Sequence, residues 1–346
     1  MELSLVDLAP IPEGGSATEA FEHAVERAQQ AERLGYSRFW VAEHHDFPDS
    51  LASTTPEALI PHVAAKTSDI RVGSGTVLLN HYSPYKVAET FSVLEALAPD
   101  RIDLGLGRAT GNPTRDYALQ ADRSEQRRGG SDHEEKIDEV ARHIHDGFEP
   151  DHPFSGLELP RGDTVPELWV LGSSPSSAKI AGELGLPYCF AAFIRPGPAV
   201  RAFEVYREHF EPSPYGAGPD EPAGMLSVNV TCAETDEEAA RLRATTDASS
   251  KLLRSGRADQ LPIRSVDEAI DVLGGVPEPT QLPIEPGEWP RAISGSPETV
   301  RELLSELTGQ LPVEVDEVIV QNQLADSDDT LRSQALLAEG VGLSSR

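Results

Sequence analysis

The densest acid/base chemistry in the chain lies at Glu43-His44-His45-Asp46, directly after the apolar run Phe39-Trp40-Val41-Ala42. The run is short enough to be one buried strand, so its carboxyl end would present two imidazoles between two carboxylates. An imidazole titrating near neutral pH both accepts and donates a proton, which makes His44 the candidate acid/base group. His45 reads as a structural hydrogen-bonding group at the loop. Glu43 would orient an imidazole or pair with an arginine inside the fold. A metal site is the rival chemistry, but adjacent histidines on an extended chain point to opposite sides and do not easily share one ion. No matching cluster of acids and histidines ends another strand, so no metal is expected.

Two other stretches suit an anion. Arg108 closes the run Arg101-Ile102-Asp103-Leu104-Gly105-Leu106-Gly107, and Gly172-Ser173-Ser174-Pro175-Ser176-Ser177 opens a helix. Hydroxyl residues at a helix start serve as caps. Together with exposed N–H groups they also make a phosphate site, and the local sequence leaves both readings open. Gly73 and Gly75 interrupt a β-branched run, which weakens a strand unless something approaches its backbone closely; a flat ligand is one such reason.

Positioning these groups at one place requires a particular fold. Strand patterns fall at 2–8, 39–42, 70–79, 101–108, 167–171, 188–193, 225–232 and 317–321. Helical patterns lie between them, beginning with 16–34, where Ser16 and Glu19 have capping-box spacing and Gly35 marks the stop. The stretch 109–130 has no periodicity and reads as a long, functional βα loop. Residues 256–291 break the rhythm with a short helix over 266–273 and prolines at 277, 279, 283, 286 and 290, so they read as an insertion or lid. Eight strands alternating with helices predict an α/β fold, a (β/α)8 TIM barrel with insertions in its βα loops, spanning 1–346 as one domain. Its active site would lie at the carboxyl ends of the strands, where all three candidate groups fall.

Charge excludes several partners. With 58 acidic against 29 basic residues the net charge is −29, which repels nucleic acid and anionic lipid. Lysine occurs only at Lys66, Lys86, Lys136, Lys179 and Lys251. The acids sit in no single tail, so the pattern fits a solvated acidic shell of a salt-adapted, halophilic protein. No apolar run approaches the roughly 20 residues of a membrane span, and the start lacks a signal-peptide pattern, so a cytoplasmic protein is expected. Cys189 and Cys232 are too few for a disulfide framework and read as small buried residues at strand ends.

With the pieces in this order, the sequence resembles the bacterial luciferase-like flavin monooxygenases over nearly its whole length. The resemblance rests on Trp40-Val41-Ala42-Glu43-His44-His45, on Val72-Gly73-Ser74-Gly75-Thr76-Val77-Leu78-Leu79, on Pro99-Asp100-Arg101 through Arg108, and on Leu171-Gly172-Ser173-Ser174-Pro175-Ser176-Ser177-Ala178. It implies FMN, or the deazaflavin F420, over the barrel mouth. The phosphate would lie at Arg108, Thr110 and Gly111 with Gly172, Ser173, Ser174 and Ser177, and the flavin ring over a non-prolyl cis peptide at Gly75-Thr76. His44 matches the family's active-site histidine. The implied activity is oxygenation of a small organic substrate with O2 and reduced FMN from a separate flavin reductase, in a homodimer. An F420-dependent hydride transfer is the alternative. A non-catalytic flavin-binding protein is a third reading, which would lack the strand-two histidine present here. Gly105-Leu106-Gly107 lacks the third glycine and the later acid of a dinucleotide fingerprint, so no resident NAD domain is expected.

Overall fold

The computed structural model describes residues 1–108, 113–120, 132–322 and 324–344. Its strands are β1 (Glu2–Asp7), β2 (Arg38–Val41), β3 (Arg71–Leu78), β4 (Ile102–Gly107), β5 (Glu167–Gly172), β6 (Tyr188–Ala191), β7 (Gly224–Cys232), β8 (Ala292–Gly295) and β9 (Glu317–Gln321). The helices are α1 (Ala17–Leu34), α2 (Pro56–Ala64), α3 (Pro84–Leu97), α4 (Pro113–Leu119), α5 (His133–His145), α6 (Pro175–Glu183), α7 (Ala199–His209), α8 (Asp236–Arg254), α9 (Val266–Leu273), α10 (Pro297–Gly309) and α11 (Ser327–Val341). Strands β1 to β7 pair in sequence order, β7 pairs with β9, and β9 returns to β1. All these pairings are parallel, so the sheet closes into the TIM barrel that the sequence predicts.

Two elements depart from the sequence reading. Strand β8 pairs with Asn229–Cys232 of β7, extending the edge whose first half pairs with β6. A strand of four residues, set between Pro290 and the Ser296 helix cap, is too short to show a period. Helix α4 lies inside the stretch read as irregular loop. None of its residues is buried, so it carries no apolar stripe that could have announced it.

Helix α1 shows how local chemistry sets the register of β2. Ser16 and Glu19 close the expected capping box, and Ala20, Ala24, Ala28 and Ala31 face the core. The helix stops at Gly35, whose φ of +86° is left-handed and where a Cβ would lie 2.2 Å from the Ser344 carbonyl oxygen. The chain then enters β2, placing Trp40 inside the barrel and Phe39 and Val41 against the helices.

The barrel interior is layered. At its amino-terminal end Arg38 reaches Asp103 (3.3 Å), Glu167 (3.3 Å) and Glu317 (3.1 Å), while Arg71 lies 2.5 Å from Asp103. The Ser4 hydroxyl donates to Glu317. Above this ionic floor Trp40, Trp169, Cys189, Met225 and Ile319 pack together, with the two indoles edge to face at 6.4 Å. A Cβ on Gly73 or on Gly75 would stand 3.0 Å from atoms of Trp40. At Gly73 the nearest atoms are the Asp103 Cβ (2.6 Å) and carbonyl oxygen (2.7 Å), so the β3–β4 approach itself requires that glycine. Cys189 and Cys232 are buried and free, matching the sequence reading.

Residues 256–291 are anchored by α9, which packs Ala269 against Ala244, Ala248 and Leu252 of α8. Arg243 donates to Thr280 Oγ1 and Ser294 Oγ, both at 2.8 Å. Arg291 donates to the Ile194 carbonyl just beyond β6, so the segment borders the β6–β7 side of the mouth. A cavity of about 410 Å³ opens between α8 and this segment, lined by Arg243, Asp247, Thr280, Glu288 and Arg291. It lies apart from the acid/base residues. Among the described residues no helix is long and apolar enough to cross a membrane.

Candidate active site

Glu43 is buried at the carboxyl end of β2, and its carboxylate organises the residues around it. Oε2 accepts the Leu78 amide at 2.8 Å, which ties the end of β3 to β2. Oε1 accepts the Tyr82 hydroxyl at 2.6 Å and lies 2.7 Å from His45 Nε2. Both burial and Glu43 push the Tyr82 hydroxyl well above its ordinary pKa, so it remains a donor. His45 is thereby held as a structural partner, and Glu43 is the group that orients it.

His44 is bound differently. Its amide donates to the Ser53 carbonyl at 2.8 Å, fixing the backbone. Its Nδ1 is covered and has no hydrogen-bond partner among the described residues. Burial, followed by the charges of His45 and Arg115, lowers the imidazole pKa to about 4. The sequence reading placed this titration near neutrality. In the structure His44 is neutral at pH 7, with one unpaired ring nitrogen.

The Gly75–Thr76 peptide is cis. At this point β3 carries a bulge between Ser74 and Val77. Ser74 Oγ accepts the Gly105 amide and donates to the Gly105 carbonyl, both at 3.0 Å, replacing the interrupted ladder. Thr76 is consequently half-buried at the mouth.

On the next strands, Arg108 follows β4 and is exposed. After burial, its charge is the leading cause that lowers His133 to a pKa of about 4. Arg115 donates to the His45 carbonyl at 3.1 Å, and Lys136 donates to the Asn80 carbonyl at 3.3 Å. Arg108, Arg115 and Lys136 thus lie on the β2–β4 side, the last two beside Asp116 and Asp132. At α6, Ser174 caps the helix by accepting the Ser177 amide, and Ser177 Oγ donates to the Ser174 carbonyl at 2.8 Å. Gly172 is required for this fold-back, since a Cβ there would lie 2.1 Å from Ser177 Oγ. Ser174 and Ser177 therefore serve as caps, while half-buried Ser173 is not part of the cap. Thr110 and Gly111 lie outside the described residues.

The sequence profile of the luciferase-like monooxygenases matches residues 1–312. The chain belongs to this family. It is 34% identical over 346 residues to the N-acetyl-S-alkylcysteine monooxygenase of Bacillus subtilis (strain 168), covering 99% of this chain and 98% of that one. The solved apo structure of MsnO8 is 41% identical, covers 100% of this chain and 99% of its own, and superposes with a TM-score of 0.85. The oxygenating constituent of 3,6-diketocamphane monooxygenase from the CAM plasmid of Pseudomonas putida, solved with FMN, shares the fold at 23% identity, 99% and 98% coverage and a TM-score of 0.69.

In this luciferase-like monooxygenase the strand ends bring His44, Gly75-Thr76, Arg108 and Gly172-Ser173 to one rim, as the sequence order implies. The residues do fit a phosphate-bearing flavin: cations and the first turn of α6 suit a phosphate, and a covered, unpaired His44 Nδ1 faces no protein partner. Sequence reasoning missed Tyr82, Arg115 and His133. Arg115 and His133 sit in or beside the stretch without periodicity, and Tyr82 follows β3 in a turn.

Proposed function

We propose that the protein is the oxygenating component of a two-component flavin monooxygenase. It takes reduced FMN from a separate reductase and uses O2 to oxygenate a small organic substrate. Reduced FMN, when bound, supplies the two electrons with which O2 delivers one oxygen atom to the substrate and releases the other as water. The observation that carries this reading is His44: a neutral imidazole with an uncommitted nitrogen, held by Glu43-anchored neighbours at the end of β2, two strands from Arg108 on the rim. The His44 imidazole would exchange a proton with the reacting centre. Arg108, with Ser173 and the first turn of α6, would hold the phosphate, and residues 256–291 would wall the β6–β7 side. The name of the B. subtilis relative makes a thioether the first substrate to try. A homodimer in the cytoplasm is part of the same proposal.

Titration of the purified protein with FMN, riboflavin and F420 under reducing conditions tests the cofactor. FMN is expected to bind, and Arg108→Ala is expected to weaken FMN at least tenfold while leaving riboflavin nearly unchanged, because only FMN carries the phosphate. Binding of F420 without FMN would overturn the cofactor assignment, and equal weakening of FMN and riboflavin would overturn the role of Arg108.

A further inference from the structure

The cleft beside α8 is open to solvent and has walls that are held in place. Its volume of about 410 Å³ falls within the roughly 300–1,000 Å³ of small-molecule pockets. One wall is the segment 278–292, where Pro279, Pro283, Ile284, Pro290 and Ala292 line the space with apolar surface. The prolines fix φ and stiffen it. It is also braced from behind: the Ile284 amide donates to Glu306 at 2.8 Å, Gln310 donates to the Ile284 carbonyl at 2.6 Å, and Trp289 donates to Gln310 at 2.7 Å. A preformed cleft takes a ligand at little ordering cost.

The opposite wall is one face of α8. Arg243 and Asp247 lie a turn apart and line the cleft, and Arg254, the last residue of the helix, repeats on the same face two turns further on. Arg243 is 8% exposed and already engaged. Asp247 pairs with it at 3.1 Å, and Thr280, Ser294 and the Glu278 carbonyl accept its other N–H groups.

The other end of the cleft has no such balance. Arg291 lines it and donates to the Ile194 carbonyl, which sets the guanidinium beside Arg195, just beyond β6. After burial, the charges of Arg254 and then Arg195 hold Arg291 below the ordinary arginine pKa, so the three guanidinium groups share one field. Arg195 and Arg254 are exposed, and none of the three forms an ion pair among the described residues, although Arg241 and Arg243 of the same helix each do. The acids that line the cleft on the segment, Glu278, Glu285 and Glu288, are exposed and do not pair with Arg291. In a chain with 58 acidic and 29 basic residues, neighbouring acids could have neutralised this cluster, and they do not. Like charges at this range repel, and a bound anion removes that cost.

We infer that the cleft binds a small organic carboxylate, its carboxylate bridging Arg195, Arg254 and Arg291 and its apolar body lying along the proline wall. Guanidinium forks match a carboxylate through paired hydrogen bonds. The site goes beyond the monooxygenase reading and does not depend on it. The phosphate of FMN has the same charge chemistry, but the flavin ring belongs beside the acid/base residues, from which the cleft lies apart. The FMN arm of the test separates the two.

Calorimetric titration of the purified protein with benzoate, and with benzamide as a probe of the same shape and no charge, tests the site. Benzoate is expected to bind at least tenfold more tightly. Arg195→Gln and Arg254→Gln change exposed side chains that have no ion-pair partner to lose, so the fold is retained. Each is expected to weaken benzoate at least fivefold while leaving benzamide and FMN unchanged. Arg241→Gln, on the same helix but outside the cleft, should leave all three unchanged, and an equal weakening of benzoate there would reduce the effect to net charge and overturn the site. Equal binding of the two probes, or benzoate binding that Arg195→Gln and Arg254→Gln leave intact, would also overturn it. Weakening of FMN in parallel with benzoate would overturn it in favour of the flavin phosphate. A wild type that binds no FMN yet keeps the benzoate preference would sink the monooxygenase reading and leave the carboxylate site standing.

Discussion

His44 and His45 are chemically identical neighbours that the structure separates by environment. His45 Nε2 is committed to Glu43 at 2.7 Å, whereas His44 Nδ1 is committed to nothing within the described residues. The lowered pKa of His44 comes first from burial and then from like charges, which favours the neutral imidazole near pH 7. His44→Ala is expected to keep FMN affinity within about twofold and to slow the O2-dependent reoxidation of bound reduced FMN by about 10²-fold, the lower range for a positioned proton-transfer group. Stopped-flow absorbance at the flavin band reads this directly, and an unchanged rate would remove His44 from the chemistry.

At the scale of elements, the mouth is shaped by strands β3 and β4 approaching closer than side chains would allow. Gly105 illustrates the constraint: a Cβ there would lie 2.1 Å from the Ser74 carbonyl oxygen and 2.9 Å from Leu171 Cδ1. The first contact is backbone, so a side-chain rotation cannot relieve it. Gly105→Ala is expected to destabilise by about 3 kcal/mol, the upper end for overpacking, whereas Gly156→Ala, with nothing within 4 Å of the new Cβ, should stay within about 0.5 kcal/mol. Chemical denaturation of the two variants checks the contrast, and equal stabilities would refute this account of the β3–β4 approach. Helix α6 obeys the same logic. Its serines suit both a cap and an anion site in sequence, and two of them close the first turn over Gly172.

The ionic floor is a property of the whole barrel, because it joins β1, β2, β3, β4, β5 and β9. Burial raises the Glu317 carboxyl to about 7, against the pull of Arg38. An unfolded glutamate titrates near about 4.3. Between these values the native state holds a proton that the unfolded state has lost, so stability falls as pH rises through the window. The contribution is complete below the unfolded pKa and lost above the folded one. His44 and His133 act in the opposite sense: the unfolded imidazoles take up protons from about 6.5, the folded ones only near about 4, so their contribution is lost as pH falls across that range. Glu317→Gln keeps the neutral form at every pH. Urea midpoints from pH 5.5 to 8 are expected to decline less in this variant than in the wild type, by on the order of 1 kcal/mol in the converted stabilities, and parallel declines would show that Glu317 is not the titrating group.

Periodicity and punctuation determined the eight barrel strands, because each pattern is local: apolar runs, capping residues such as Ser16 and Glu19, and the Gly35 stop all act within a few residues. The same local signals placed His44, Gly75, Arg108 and Ser173 at strand ends, and in this fold strand ends converge. What sequence order could not decide was the division of labour among them. That Asp103 and Trp40 crowd Gly73, and Trp40 crowds Gly75, depends on packing between strands distant in sequence. That Arg195, Arg254 and Arg291 converge beside one cleft follows from the seating of α8 against the segment before β8. Burial, which lowers His44 and raises Glu317, is likewise created only when distant segments close over these groups.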